Sequence, residues 1–151
     1  MKIIKEADIK ISSRIENVTE PGTTGGDIER SEVKAIGFYH YVSGGKVLIT
    51  YSEQIEGEEI NTEVECFDKE VRVKRSGSVE SDFCFVEGIT HRSLYTVNPY
   101  KFDAEIMPKR VRVQLGCEGG EIDLFYSMRI GGADKNVRMK IEIAVKDGVL
   151  V

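Results

Sequence analysis

The chain has no tryptophan and only two histidines, three cysteines and three prolines in 151 residues. Each shortage narrows what it can do. Without tryptophan it lacks the largest aromatic platform for stacking on a base, a sugar or a cation. The cysteines, Cys66, Cys84 and Cys117, are odd in number and far apart. They form no Cys-x-x-Cys pair and no zinc spacing, so they read as reduced thiols, with Cys66 a small core residue. His40 and His91 stand in no recognisable motif. Hydrolytic chemistry needs a nucleophile, a base and an orienting acid, and metal chemistry needs clustered ligands. The sequence presents neither arrangement, so it assigns no catalytic residue, no metal ligand and no cofactor, and it implies a protein that is not an enzyme.

Long apolar runs are missing too. Nothing approaches the ~18 consecutive apolar residues of a membrane-spanning helix. The opening Met1-Lys2-Ile3-Ile4-Lys5-Glu6 has no continuous apolar stretch of the secretory kind. The expectation is a cytoplasmic protein with no membrane contact, for which the sequon Asn17-Val18-Thr19 has no consequence. Lys and Arg number 21 against 26 Asp and Glu, a net charge of −5. That balance disfavours broad nucleic-acid affinity, which depends on cations releasing phosphate counterions. The basic clusters Lys109, Arg110, Arg112 and Lys135, Arg138, Lys140 then read as wet strand faces beside acidic neighbours, with a surface for RNA or another anionic partner as the competing reading. The stretch Gly22-Thr23-Thr24-Gly25-Gly26 lacks the Gly-Lys-Ser/Thr ending and following helix of a phosphate loop; it reads as part of a flexible hairpin loop, Thr19 to Asp27.

No stretch of eleven or more residues carries a helical stripe; the period is two nearly throughout. Ile9, Ile11 and Ile15 alternate with polar residues, as do Val47, Ile49, Tyr51, Glu53 and Ile55, then Ile60, Thr62, Val64 and Cys66, then Val71, Val73 and Arg75. Phe83 and Phe85 form a short echo. Phe102, Ala104 and Ile106 precede Pro108, and Val111, Val113 and Leu115 follow it. Ile122 to Ile130 and Val137 to Val145 make the cleanest pair. Residues 29–41 are ambiguous: Val33, Ala35, Tyr39 and Tyr41 compete with Ile36 and Phe38, and Gly37 points to a bend or bulge. One dry and one wet face per strand is the pattern of antiparallel sheet. Short Gly-rich links imply a meander, and closure removes its two edges. The fold expected is all-β, a closed antiparallel up-and-down barrel of about 8–10 strands, in a single domain over residues 1–151.

Pairing rules sharpen the middle. With Asp68-Lys69 as a two-residue turn, Cys66 faces Val71, Val64 faces Val73 and Thr62 faces Arg75. Outside, Glu65 then meets Arg72 and Glu63 meets Lys74, two complementary pairs. A four-residue loop Glu56 to Glu59 would set Ile55 against Ile60 and Glu53 against Thr62. Together these registers predict a row Glu53, Thr62, Arg75 on an otherwise apolar face. His91 is expected in a loop after Gly88, and Phe38 and Phe125 are expected to point outward.

Several short motifs occur in a recognisable order: Tyr51-x-Glu53, Arg75-x-Gly77, Phe83-x-Phe85, Tyr95-Thr96 through Pro99-Tyr100, and Tyr126-x-Met128. Over roughly Ile9 to Val145 the chain resembles the YwiB-like family of uncharacterised bacterial proteins. The resemblance implies a calycin-like, lipocalin-like β-barrel in a bacterial cytosol and carries no activity. A departure is Thr96-Val97-Asn98-Pro99-Tyr100-Lys101, where a compact Thr-Pro-Tyr-Gly-like turn is expected. The functional expectation is a barrel that binds a small, mostly apolar molecule, with Tyr51, Glu53, Thr62, Arg75 and Tyr126 as polar lining. The competing expectation is an interaction or scaffold protein, a candidate homodimer, whose barrel is filled by its own side chains.

Overall fold

The computed structural model describes residues 2–18 and 27–146, apart from the side chains of residues 2 and 3. Most of the expected Thr19 to Asp27 loop, including Gly22 to Gly26, lies outside the described residues. The alternating runs become ten strands: β1 (Lys2–Val18), β2 (Ile28–Val42), β3 (Val47–Ile55), β4 (Glu58–Phe67), β5 (Glu70–Gly77), β6 (Val79–Phe85), β7 (His91–Val97), β8 (Tyr100–Gly116), β9 (Gly119–Ile130) and β10 (Ala133–Val145). Each pairs antiparallel with its chain neighbours, and β10 pairs with β1 from Ala7↔Val145 to Val18↔Asp134. The sheet is a closed up-and-down barrel, and no helix occurs among the described residues.

The alternation sorts as the pleat requires, since successive side chains take opposite faces. Ala7, Ile9 and Ile11 of β1, Ile122 and Leu124 of β9, and Val137, Ile141 and Ile143 of β10 are buried. On β2, Val33, Ala35, Tyr39 and Tyr41 pack inward, while Ile36 and Phe38 stand 59% and 53% exposed on the outside. Gly37 is not a bulge: β2 keeps register with β1 straight through it, and the pairing with β3 ends at Gly37 itself. A Cβ there would run into the Thr50 carbonyl oxygen and crowd Ile9 and Tyr51, so glycine permits a close backbone approach.

The change of phase around Pro108 has a single cause. Ala104, Ile106 and Pro108 face the core on even numbers, and Val111, Val113 and Leu115 on odd ones. Between Pro108 and Arg110 the β8–β9 register shifts by one, with Lys109 as the extra residue of a bulge. An inserted residue exchanges the faces of everything after it, so one long strand reads as two runs. His91 is the first residue of β7, paired with Ile106, rather than part of a loop.

The two central hairpins differ in outcome. Asp68 and Lys69 adopt φ of 46° and 67°, the left-handed turn whose twist matches the flanking strands. The register is the expected one: Cys66↔Val71, Val64↔Val73 and Thr62↔Arg75 inside, Glu65↔Arg72 and Glu63↔Lys74 outside. The β3–β4 link is shorter than expected. Glu56 (φ 52°) and Gly57 (φ 80°) form a two-residue turn, so Ile55 meets Glu58, Glu53 meets Ile60 and Tyr51 meets Thr62. The difference is two residues, one full pleat period, so every side chain keeps its face and only its row partner changes.

The ends of the barrel are not alike. Where β1 starts and β10 ends, Tyr39, Ile49, Val71 and Phe85 are buried, and the Tyr39 hydroxyl donates 2.8 Å to the Gly116 carbonyl. Toward the other end, inward-facing Ile15, Val33, Phe83 and Met128 are only partly buried.

Candidate functional site

The polar row expected inside the barrel exists, with one exchange of members. Tyr51 of β3 pairs with Thr62 of β4, Thr62 with Arg75 of β5, and Arg75 with Ser81 of β6. Four neighbouring strands thus carry Tyr51, Thr62, Arg75 and Ser81 in line on the inner face. Glu53 sits one pleat beyond Tyr51, not opposite Thr62, and reaches Arg75 diagonally: Nη2 to Oε1 is 3.9 Å. That is an ion pair at its loosest and too long for a hydrogen bond. The Glu53 side chain is 11% exposed and that of Arg75 31%. Ion pairing at this distance leaves the planar guanidinium, with its five N–H donors, free to serve another acceptor.

Tyr126 of β9 comes to the same region from the far wall. It is buried, and its ring meets Phe85 edge-on at 4.8 Å between centroids and 61° between planes. Burial holds its phenol well above the usual range; the positive charge of Arg75 opposes that shift and Tyr95 adds to it. Burial also raises the Tyr51 phenol, opposed by Arg75 and by the neighbouring Thr62 hydroxyl. Both phenols are therefore neutral donors at physiological pH, and Arg75 is the cation both of them sense.

Thr62 stands out. It is 1% exposed, and among the described residues its Oγ1 makes no hydrogen bond of acceptable geometry, although the Tyr51 phenol lies close enough for the contact to offset part of that phenol's upward shift. A buried hydroxyl without a partner costs free energy that most proteins avoid. Structure therefore brings together all five residues expected at the site: Tyr51, Glu53, Thr62, Arg75 and Tyr126. Ser81 and Tyr95 belong beside them. Ser81 is 7% exposed, and Tyr95 stacks parallel on Phe83 at 6.2 Å. Ser81 was legible, since carrying the Phe83, Phe85 stripe back by two residues lands on it. Tyr95 needed the fold, because β7 offers no clean alternation.

Two partly paired seams adjoin the strands of this row. β6 and β7 pair only at Val79↔Val97 and Glu80↔Thr96 before diverging. A recess of about 590 Å³ lies there, lined by Arg75, Ser81, Asp82, Ser93, Leu94 and Thr96 among others. β2 and β3 pair only over Gly37–His40 with Leu48–Tyr51, and among the described residues the first half of β2 has no strand partner on that side. His91 is occupied elsewhere, its Nε2 lying 3.1 Å from the Asp82 carbonyl oxygen. His40 lies on the outer face between Ile4 and Leu48. Cys66 is buried, and burial pushes its thiol up to about 12.

Comparison with known proteins agrees with this architecture. The family described as "Domain of unknown function (DUF1934)" matches over residues 9–143. The "Uncharacterized beta-barrel protein YwiB" of Bacillus subtilis (strain 168) is 30% identical over 112 residues, spanning 74% of this chain and 78% of that protein. The crystal structure of the ywiB protein from Bacillus subtilis superposes with a TM-score of 0.76 at 26% identity, covering 92% of both chains.

Proposed function

The chain belongs to the DUF1934 family of β-barrel proteins, and from that premise we propose that its barrel binds a small, mostly apolar molecule with one polar end. The observation that carries this reading is the Thr62 hydroxyl, buried and without a partner in the middle of the inner polar row. A ligand acceptor or donor placed there would satisfy it. Arg75, held only loosely by Glu53, supplies a cation for the same polar end, and the neutral phenols of Tyr51 and Tyr126 supply further donors. Partly buried Ile15, Val33, Phe83 and Met128 offer the apolar walls. A few placed polar groups among apolar ones is the usual composition of a small-molecule site. The reading is of a binding protein rather than a catalyst.

A suitable probe is 8-anilinonaphthalene-1-sulfonate, an apolar body with one anionic end. Saturable one-to-one fluorescence enhancement is expected from protein that still melts cooperatively, with Arg75→Met weakening it about tenfold, the value of one charge-assisted hydrogen bond. Absence of saturable binding, or binding indifferent to both Arg75→Met and Thr62→Val, overturns the proposal.

The alternative is a scaffold protein acting through an outer face as a homodimer. What favours it is the cluster Ile4, Ile36 and Phe38 on adjacent β1 and β2, 54%, 59% and 53% exposed. Native mass spectrometry of protein from its own cells separates the two: a monomer carrying a retained small molecule supports binding, a bare dimer supports the scaffold.

A further inference from the structure

Closing β1 onto β10 and β2 assembles something on the outer wall that no stretch of the chain contains. Arg30 of β2 lies opposite Arg14 of β1, Arg14 opposite Arg138 of β10, Arg138 opposite Phe125 of β9, and Phe125 opposite Arg110 of β8. Four arginines and one aromatic ring thus form a single row across five strands. The β8 bulge adds Lys109, whose ammonium lies 5.3 Å from the Phe125 ring centre, while the Arg138 guanidinium lies over the ring at 4.4 Å. Like charges directly opposite one another oppose sheet pairing, yet here two such pairs stand side by side. Among the described residues none of these four arginines has a carboxylate within ion-pairing distance, whereas Lys10, Lys34, Lys46, Arg72, Arg92, Arg129, Lys140 and Lys146 all do. The row floors a shallow trough of about 570 Å³. In a chain of net charge −5, four arginines without ion-pair partners thus stand together, with Glu32 and Asp123 also lining the trough.

We propose that this row is a docking surface for the sugar–phosphate backbone of single-stranded RNA. Guanidinium forks match phosphate oxygens in pairs, which ammonium groups do not. Five strands at ~4.8 Å spacing give a row ~19 Å long, the axial rise of about five stacked nucleotides at ~3.4 Å each. The ring decides between nucleic acid and an acidic protein segment. A carboxylate chain has no use for an aromatic at the centre of the row. Bases, in contrast, stack on aromatic side chains and on guanidinium planes, and Arg138 lying over Phe125 is such a platform. The acidic remainder of the surface repels the strand elsewhere and confines it to the trough. The expectation drawn from composition spoke to the mean charge, which the closure of the barrel distributes unevenly.

The test is fluorescence anisotropy of full-length protein with a labelled oligouridylate of about twelve nucleotides, from about 50 mM salt upward. Binding is expected with a log–log salt slope of about −3, the value for four phosphates neutralised on a single strand. Arg14→Gln with Arg138→Gln should weaken binding by at least about tenfold and flatten the slope by about 1.4. Arg30→Gln with Arg110→Gln, an independent pair, should do the same should the first double variant fail to fold. Arg92→Gln with Arg129→Gln, both ion-paired in the native protein, should change nothing. No binding at about 100 μM protein in the lowest salt overturns the proposal, as does a slope indifferent to both row variants. An oligoglutamate binding as tightly as the RNA assigns the trough to an acidic protein instead, and a preference for duplex over single strand also overturns it.

Discussion

Replacing Thr62 by valine is the substitution that most directly tests the inner site. Valine has the same shape and β-branching, so neither strand preference nor packing changes much, and the difference is one hydroxyl exchanged for a methyl. Ordinarily that exchange is not conservative, because a buried hydroxyl has a partner to lose. Here Oγ1 has none, and the residue is 1% exposed. Leaving a hydroxyl unsatisfied costs about 1–3 kcal/mol in proteins, and the added methyl contributes about 0.8 kcal/mol of burial. The ligand-free Thr62→Val protein should therefore gain about 2–4 kcal/mol. At this chain length each kcal/mol raises the melting temperature by about 2–4 °C, so a rise of at least about 4 °C is expected. The same variant should lose affinity for the anilinonaphthalene probe. Stability gained while binding is lost is the signature of a group kept for a ligand. Urea unfolding followed by circular dichroism supplies the free energy and thermal melting the midpoint. A Thr62→Val protein less stable than the parent by more than about 1 kcal/mol would mean that the hydroxyl is satisfied in the folded state, and the reasoning built on it fails.

Further outcomes can be checked alongside. Arg75→Met removes the counter-ion of a carboxylate that is 11% exposed; because the pair is long and partly wet, the loss should be about 1–2 kcal/mol rather than the 3–5 of a fully buried pair, and an unchanged urea midpoint would place Glu53 in solvent. Gly37→Ala drives a methyl toward the Thr50 carbonyl oxygen and Ile9, so it should destabilise by about 1–3 kcal/mol, and a neutral result would show that β2 and β3 can separate freely at that point. Thiol titration of the native protein at pH 8 should find Cys117 fast, since it is exposed, and Cys66 and Cys84 slow, their thiols raised by burial to about 12 and about 11, with the Glu70 carboxylate adding to the shift of Cys84. Three fast thiols would show that the barrel opens in solution.

Much of this molecule is legible in its sequence, and the limits of that legibility have a physical cause. Alternation is a local property: each residue's face follows from its neighbours two positions away. The dry side of β1, β9 and β10, the inward Tyr51, Glu53 and Arg75, and the outward Phe38 and Phe125 could therefore be read directly. A tight turn such as Asp68-Lys69, flanked by complementary charges, extends that certainty to one register. At Glu56-Gly57-Glu58-Glu59 two loop lengths preserve the same faces, so only the folded chain could decide that Tyr51, and not Glu53, stands opposite Thr62. The partial seams at β2–β3 and β6–β7, the solitary hydroxyl of Thr62 and the arginine row lie further out of reach. Each depends on which strands meet across the closure of the barrel, among them Arg14 and Arg138, which are distant in the chain and adjacent in space. Facing is set by the pleat within one strand; neighbours are set by packing of the whole barrel.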